Sequence, residues 1–223
     1  LALVGDAKDG LARLHAALGP GPSRAAWAEP ALAAARTAAN ERYTPAVARL
    51  ITILRGALED DAIVVNDQTG INYWMEWHFP VLAPRTFLYP VGSATLGYAV
   101  PAAIGARLAN PDRQVVAVVG DGGFLFSVNE LATAVKYGLG IVFLVLNDGR
   151  YGAIEYLQER LHGRSGETEL ANPDFPALAR AFGAAGERVE SLDALGGRLA
   201  RALAAEGPTV LEVPMAVEPP WEL

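Results

Sequence analysis

The chain has 223 residues, 52% hydrophobic and 19% charged, enough apolar material for a sizeable core and too much for a disordered chain. A net charge of -7 without a basic block removes electrostatic support for a nucleic-acid or anionic-membrane partner. Zero cysteines exclude disulfides, thiolate chemistry and Cys-ligated zinc, and three scattered histidines (His15, His78, His162) argue against a His-metal site.

In chain order, Leu11, Leu14 and Leu18 recur at helical spacing before the break Gly19-Pro20-Gly21-Pro22-Ser23. Residues 1–20 are expected to be the tail of a preceding domain and 21–43 a linker. The Ala-rich stretch 25–39 suits either a helical connector or an extended one. A domain is expected over 44–223, opening with a helix at Thr44-Pro45 (Val47, Leu50, Ile51, Leu54, Leu58), where proline sits in the first turn. Strands are then predicted at 63–65, 86–89, 115–119, 141–146, 187–189 and 210–213. Helices are predicted at 98–108, 128–137, 152–160, 175–182 and 192–205. Unbroken Val/Ile/Leu strands between amphipathic helices are buried on both faces, which predicts a three-layer α/β sandwich on a mostly parallel sheet. No run reaches the ~18 apolar residues of a membrane span. Leu1-Ala2-Leu3 carries no signal-like segment, so a cytoplasmic chain beginning inside a longer protein is expected.

Open α/β sheets bind ligands at the carboxyl ends of their strands. Val115-Val119 runs into Gly120-Asp121-Gly122-Gly123, and Ile141-Leu146 runs into Asn147-Asp148-Gly149-Arg150-Tyr151-Gly152. After the first, Ser127-Val128-Asn129-Glu130 has the pattern of a capping box opening a helix. Glycines between a strand end and a helix start let backbone N-H groups gather round an oxyanion. Alone, Gly120-Asp121-Gly122 is equally well a tight turn; the Asn147-Asp148 pair at the next strand end favours a site. Neighbouring parallel strands lie about 4.8 Å apart, so adjacent strand tips would let Asp121 and Asp148 reach one cation. Hard oxygen ligands without Cys or His suit Mg2+ or Ca2+. The phosphate-binding P-loop pattern is absent, and Leu125 stands where the dinucleotide fingerprint requires its third glycine.

Two blocks together resemble the thiamine-diphosphate-dependent family that includes acetolactate synthases and benzoylformate decarboxylases, in its C-terminal domain. One is Gly120-Asp121-Gly122 with Asn147-Asp148; the other is Gly92-Ser93-Ala94-Thr95-Leu96-Gly97 through Pro101-Ala102-Ala103-Ile104-Gly105-Ala106. The resemblance covers about 63–214 and implies the thiamine-diphosphate-binding fold, with thiamine diphosphate and Mg2+ as cofactors. It implies that Asp121, the Asp148 side chain and the Arg150 carbonyl bind the metal. It also implies that Gly120 belongs to the cofactor site and that amides of Gly122, Gly123, Tyr151 and Gly152 cradle the diphosphate. Leu96 would hold the cofactor bent, the Ala94 carbonyl would accept from its aminopyrimidine, and Ala153, Ile154 and Leu157 would border substrate.

Some family features differ. Asp148 replaces the usual Asn, the Gln-His block typical of acetolactate synthases reads Gly70-Ile71-Asn72-Tyr73-Trp74, and Leu157 stands at a usual Trp. The resemblance implies a 2-oxo acid decarboxylase or carboligase whose activating Glu lies on an N-terminal domain of a neighbouring subunit. No catalytic residue is therefore expected in this chain, and Glu130 is no substitute. A dimer or tetramer is expected, with no nucleic-acid or membrane partner. The aromatic segment 70–90 suits either a contact surface or the domain's own core. A non-catalytic module on the same fold is the competing reading.

Overall fold

The computed structural model describes residues 4–19, 29–41 and 44–221. The chain divides into two compact units, Leu1–Tyr43 and Thr44–Leu223. The first holds α1 (Ala7–Leu18), whose N-terminal amides at Lys8 and Asp9 donate to the Asp6 carboxylate. It also holds α2 (Glu29–Glu41), so within those bounds the Ala-rich stretch is helical. No residue of α1 is buried; its leucine stripe is exposed. The Gly-Pro break at 20–23 lies outside the described residues.

The second unit opens with α3 (Pro45–Ala57), capped by the Thr44 hydroxyl, which accepts from the Val47 amide. It continues through β1 (Ile63–Asn66), α4 (Gly70–His78), β2 (Phe87–Leu88), α5 (Ala99–Ala109), β3 (Val115–Gly120) and α6 (Asp121–Ser127). After a 3-10 turn at Val128–Glu130 come α7 (Leu131–Lys136), β4 (Ile141–Asn147), α8 (Gly152–His162), α9 (Phe175–Phe182), β5 (Ala185–Arg188), α10 (Leu192–Leu203) and β6 (Thr209–Pro214). Among the described residues six strands form one sheet in the order β2-β1-β3-β4-β6-β5, and every pairing is parallel.

Side chains alternate across this sheet with period two. Ile63, Val65, Val115, Ala117, Val119, Phe143 and Val145 join Phe124 and Phe175 in one core with α5, α7 and α9. On the other side α10 packs against β4, β6 and α3, and α3 meets α4. The result is the α/β sandwich expected, with an all-parallel sheet. No helix among the described residues is long and apolar enough to cross a membrane.

Two local expectations are corrected. The helix after β3 starts at Asp121, six residues before the predicted capping box, and Ser127 makes no capping hydrogen bond. The Glu130 carboxylate instead accepts from Thr133 and Asn129 within its own turn. An unbroken strand delivers its last glycine straight into helical backbone, so no loop is needed between them. The aromatic segment is partly α4, which the sequence reading left without an element. Trp74, Met75 and Phe79 are core, whereas Trp77 is 62% exposed. His78 stacks on Trp74 at 6.0 Å, a packing role.

The chain runs from β1 to one side and from β3 to the other, so the topology reverses between them, where parallel sheets open a crevice. Asp67, just beyond β1, ties this point together. Fully buried, its carboxylate accepts from the amides of Gly97 (3.1 Å), Ala99 (2.9 Å) and Gln68 (2.9 Å). Burial pushes its pKa up, and the amide donors hold it back. This anchors the glycine block of 92–97 to the strand end. Asp67→Ala leaves those buried donors unpaired, at a cost of about 1–3 kcal/mol. Urea denaturation should show a lower midpoint at unchanged slope; a loss under about 0.5 kcal/mol, the scale of an ordinary surface change, would contradict the anchoring role.

Candidate functional site

A cavity of about 240 Å³ opens at the carboxyl ends of β1, β3, β4 and β6. Each site residue expected from the sequence lines it: Ala94 and Leu96 from the glycine block, Gly120, Asp121, Gly122 and Gly123 at the β3–α6 junction, and Asp148, Arg150, Tyr151, Gly152 and Ile154 beyond β4. Ala153 also lines it, and Leu157 does not. The remaining wall includes Gln68, Thr69, Gly70 and Tyr73 after β1, and Met215 and Val217 after β6.

The glycines are there because the backbone segments crowd together. A Cβ on Gly122 would lie 2.5 Å from the Tyr151 ring, on Gly123 2.9 Å from the Asp67 carboxylate, and on Gly152 2.7 Å from the Asp148 carboxylate. Any side chain would push apart strand tips that must meet. Gly122 and Gly123 fall in the first turn of α6, where backbone N-H groups have no partner within the helix. Gly152 opens α8 in the same way. Two helix starts thus face one cavity that also holds two carboxylates. Ala94 sits at φ +48°, a left-handed backbone that a residue with a Cβ adopts only under constraint, on the loop that brings Leu96 to the cavity.

β3 and β4 are adjacent, with Gly120 paired to Leu146, so Asp121 and Asp148 leave neighbouring strand tips. Asp121 is 2% exposed. Burial, and then the charge of Asp121, push the Asp148 pKa up to about 6, against the pull of the Arg150 amide. A half-buried carboxylate whose pKa is raised beside a second acid is a place that suits a cation. Among the described residues no cluster of three or more His, Cys, Asp or Glu side chains could hold a metal. An ion here would complete its shell with backbone carbonyls, water or ligand oxygens, the preference of Mg2+. The Arg150 side chain is turned to Glu155 at 2.7 Å, leaving its backbone as its contribution to such a shell.

The sequence reading missed three supports. Residues 168–172 run beside the loop after β4: the Tyr151 amide donates to the Thr168 carbonyl, the Leu170 amide to Gly149, and Arg150 bridges to Glu169. From this strap Asn172 reaches Asp121. Glu212 is a fully buried carboxylate in β6; a lone acid inside Val210-Leu211-Glu212-Val213 was the available signal. The segment after β6 forms the third support: Trp74 donates to the Glu218 carbonyl (2.7 Å), Tyr156 to Trp221 (2.7 Å), and Tyr73 meets the Trp221 ring at 4.5 Å.

The raised Asp148 pKa has a definite sign. Between its ordinary value of 3.8 and about 6 the folded state binds more protons than the unfolded one, so this group's stabilisation fades as pH rises through that window. The metal-free chain should melt at a lower temperature at pH ~7 than at pH ~5. Asp148→Asn should flatten that difference, and an unchanged pH dependence in the variant would rule out the assignment. A proton and an ion would compete for the same oxygens, so divalent-ion affinity should weaken as pH falls through about 6.

Comparison with known proteins converges on this cavity. Residues 67–213 match the family described as thiamine pyrophosphate enzyme, C-terminal TPP binding domain. Acetolactate synthase of Bacillus subtilis (strain 168) is 40% identical over 166 residues, covering 74% of this chain and 29% of the relative. The probable 2-ketoarginine decarboxylase AruI of Pseudomonas aeruginosa is 35% identical over 217 residues, 96% of this chain and 39% of that protein. The structure of the thiamine diphosphate-dependent 4-hydroxybenzoylformate decarboxylase of Rhodococcus jostii RHA1 superposes with a TM-score of 0.73 at 32% identity, covering 79% of this chain and 34% of that one. This chain therefore spans between about three-tenths and two-fifths of the length of these relatives. With its six-stranded parallel sheet and the matched span enclosing both carboxylates, it belongs to the family of C-terminal TPP-binding domains of thiamine pyrophosphate enzymes.

Proposed function

We propose that this chain is the diphosphate-binding domain of an acetolactate synthase-like 2-oxo acid decarboxylase or carboligase, and that it turns over substrate only with a further domain. The observation that carries the reading is the convergence of Asp121 and Asp148 beside Gly122, Gly123 and Gly152 in the first turns of α6 and α8. Two carboxylates facing helix N-termini make sense as a mixed site: a divalent cation on the acids and an anionic diphosphate on the amides.

When bound, thiamine diphosphate supplies the electron sink that lets a 2-oxo acid lose CO2. This chain's residues do the holding. Asp121, Asp148 and the Arg150 carbonyl bind Mg2+. Amides of Gly122, Gly123 and Gly152 would take the diphosphate oxygens; the Tyr151 amide, expected to join them, instead donates to the Thr168 carbonyl at 2.8 Å. Leu96 would pack against the bound cofactor, and the Ala94 carbonyl would be an acceptor for its aminopyrimidine. Ile154, Met215, Val217 and Tyr73 give the cavity an apolar wall. Glu130, locked in its own turn and outside the cavity lining, is not placed to act as the activating acid. That group is assigned to the N-terminal domain of a second subunit. Phe126, Ile154 and Leu161, at least half exposed on one chain, support association as a homodimer or tetramer.

Calorimetric titration with thiamine diphosphate and Mg2+ tests the binding half of this reading. Heat of binding should be seen with the wild-type chain and be lost in Asp121→Ala with the fold retained; a variant that binds as well as wild type refutes the site. For the catalytic half, the chain alone should convert pyruvate slowly or not at all. Adding a polypeptide with the family's N-terminal domain should raise the rate by about 10²–10⁴, the worth of a positioned acid-base group. Unaided turnover at the ~10 s⁻¹ of an ordinary enzyme would show that the chain is complete by itself.

A further inference from the structure

We infer that Arg188, Glu212, Asn147 and Asn172 form a polarity relay that sets the orientation of the Asp121 carboxylate, making them positioning residues for the ion proposed above. The inference rests on that reading of Asp121 and adds four residues outside the cavity lining to it.

The chain of contacts is continuous. Arg188 grips Glu212 with two bonds, Nε to Oε2 at 3.0 Å and Nη2 to Oε1 at 2.9 Å. Asn147 Nδ2 donates to the same Glu212 Oε1 at 2.7 Å. Asn147 Oδ1 accepts from Asn172 Nδ2 at 3.0 Å and from the Gly149 amide at 3.1 Å. Asn172 Nδ2 also donates to Asp121 Oδ2 at 2.6 Å, and the Gly149 amide donates to that same oxygen at 2.9 Å. Both donors land on Oδ2, which leaves Oδ1 without a hydrogen bond from a described residue.

The sheet explains why these residues meet. Arg188 and Glu212 are register partners across β5 and β6, and Val145 is the partner of Glu212 on β4. Asn147 lies two residues beyond Val145, so it projects from the same face one step nearer the cavity. Asn172 approaches that face from the strap leading into α9, whose start is capped by Asp174 accepting from the Ala177 amide.

Chemistry fixes the direction at every link. A carboxylate only accepts, so Asn147 must turn its NH2 to Glu212; a backbone amide only donates, so Gly149 demands the oxygen on the other side. Asn172 then has two acceptors before it and must offer its NH2 to both. The orientation has a cost that the structure displays: Asn172 Oδ1 is buried without a partner among the described residues. Rotating the amide would set its oxygen against two others, and the relay prevents that. Outer residues that orient ligating groups in this way typically change metal affinity by about 10–100-fold when removed.

The test replaces the Arg188–Glu212 pair by apolar residues, Arg188→Met with Glu212→Met, because removing Arg188 alone would leave the buried Glu212 carboxylate without its cation. Asn172→Ala is the second variant, cutting the relay at its other end. Mn2+ binding in the presence of thiamine diphosphate is read by electron paramagnetic resonance, beside the melting temperature of the metal-free proteins. Both variants should remain folded and bind Mn2+ at least about tenfold more weakly than wild type. In the metal-free double variant the Asn172 side-chain amide resonance should shift or broaden, although neither substitution touches Asn172. Folded variants binding Mn2+ within twofold of wild type, or an Asn172 resonance that does not move, would overturn the relay. Wild-type protein that binds no Mn2+ would overturn the ion site itself, an outcome distinct from both.

Discussion

The repulsion between Asp121 and Asp148 is the constraint around which the upper end of the sheet is organised. Their strands are adjacent and parallel, so their tips arrive close together, with Asp121 buried and Asp148 half-buried beside it. A fold that brings two carboxylates together in a cavity pays for it in stability unless something positive is to sit there. The glycines make the arrangement possible: those at 122, 123 and 152 have neighbours so close that a methyl group would collide with a ring or a carboxylate.

Around that pair lie supports of different chemistry. Asp67 uses a buried carboxylate to hold backbone amides of the glycine block, joining the end of β1 to the start of α5. The strap at 168–172 uses main-chain hydrogen bonds to hold the loop after β4. The segment after β6 uses aromatic contact and two side-chain donors to close the far wall over α4 and α8. Loops that carry function are usually the mobile parts of an α/β protein. Here each is tied by hydrogen bonds to a neighbouring segment.

The sheet was legible because its central strands, β3 and β4, are near-continuous apolar runs that suit a doubly covered parallel sheet, and all six predicted strands have a counterpart. The cavity's glycines and acids were legible because their spacing falls at consecutive strand ends. What escaped was whatever depends on distance in space rather than in sequence. Asn172 stands in a loop that gives no periodic signal, and its role arises only when β4 and the strap come together. Glu212 is a lone acid in an apolar strand, a feature whose meaning depends on Arg188 across the sheet. The capping-box pattern at Ser127 failed for a related reason: local propensity favoured a start there, but the strand had already entered helix at Asp121.

The most direct measurement is the position of a bound ion. Crystals grown with Mn2+ and thiamine diphosphate and measured at the manganese absorption edge should show one anomalous peak at bonding distance, about 2.1 Å, from a carboxylate oxygen of Asp121 and one of Asp148 alike. A peak in contact with only one of these acids, or none between them while the cofactor is bound, would contradict the account.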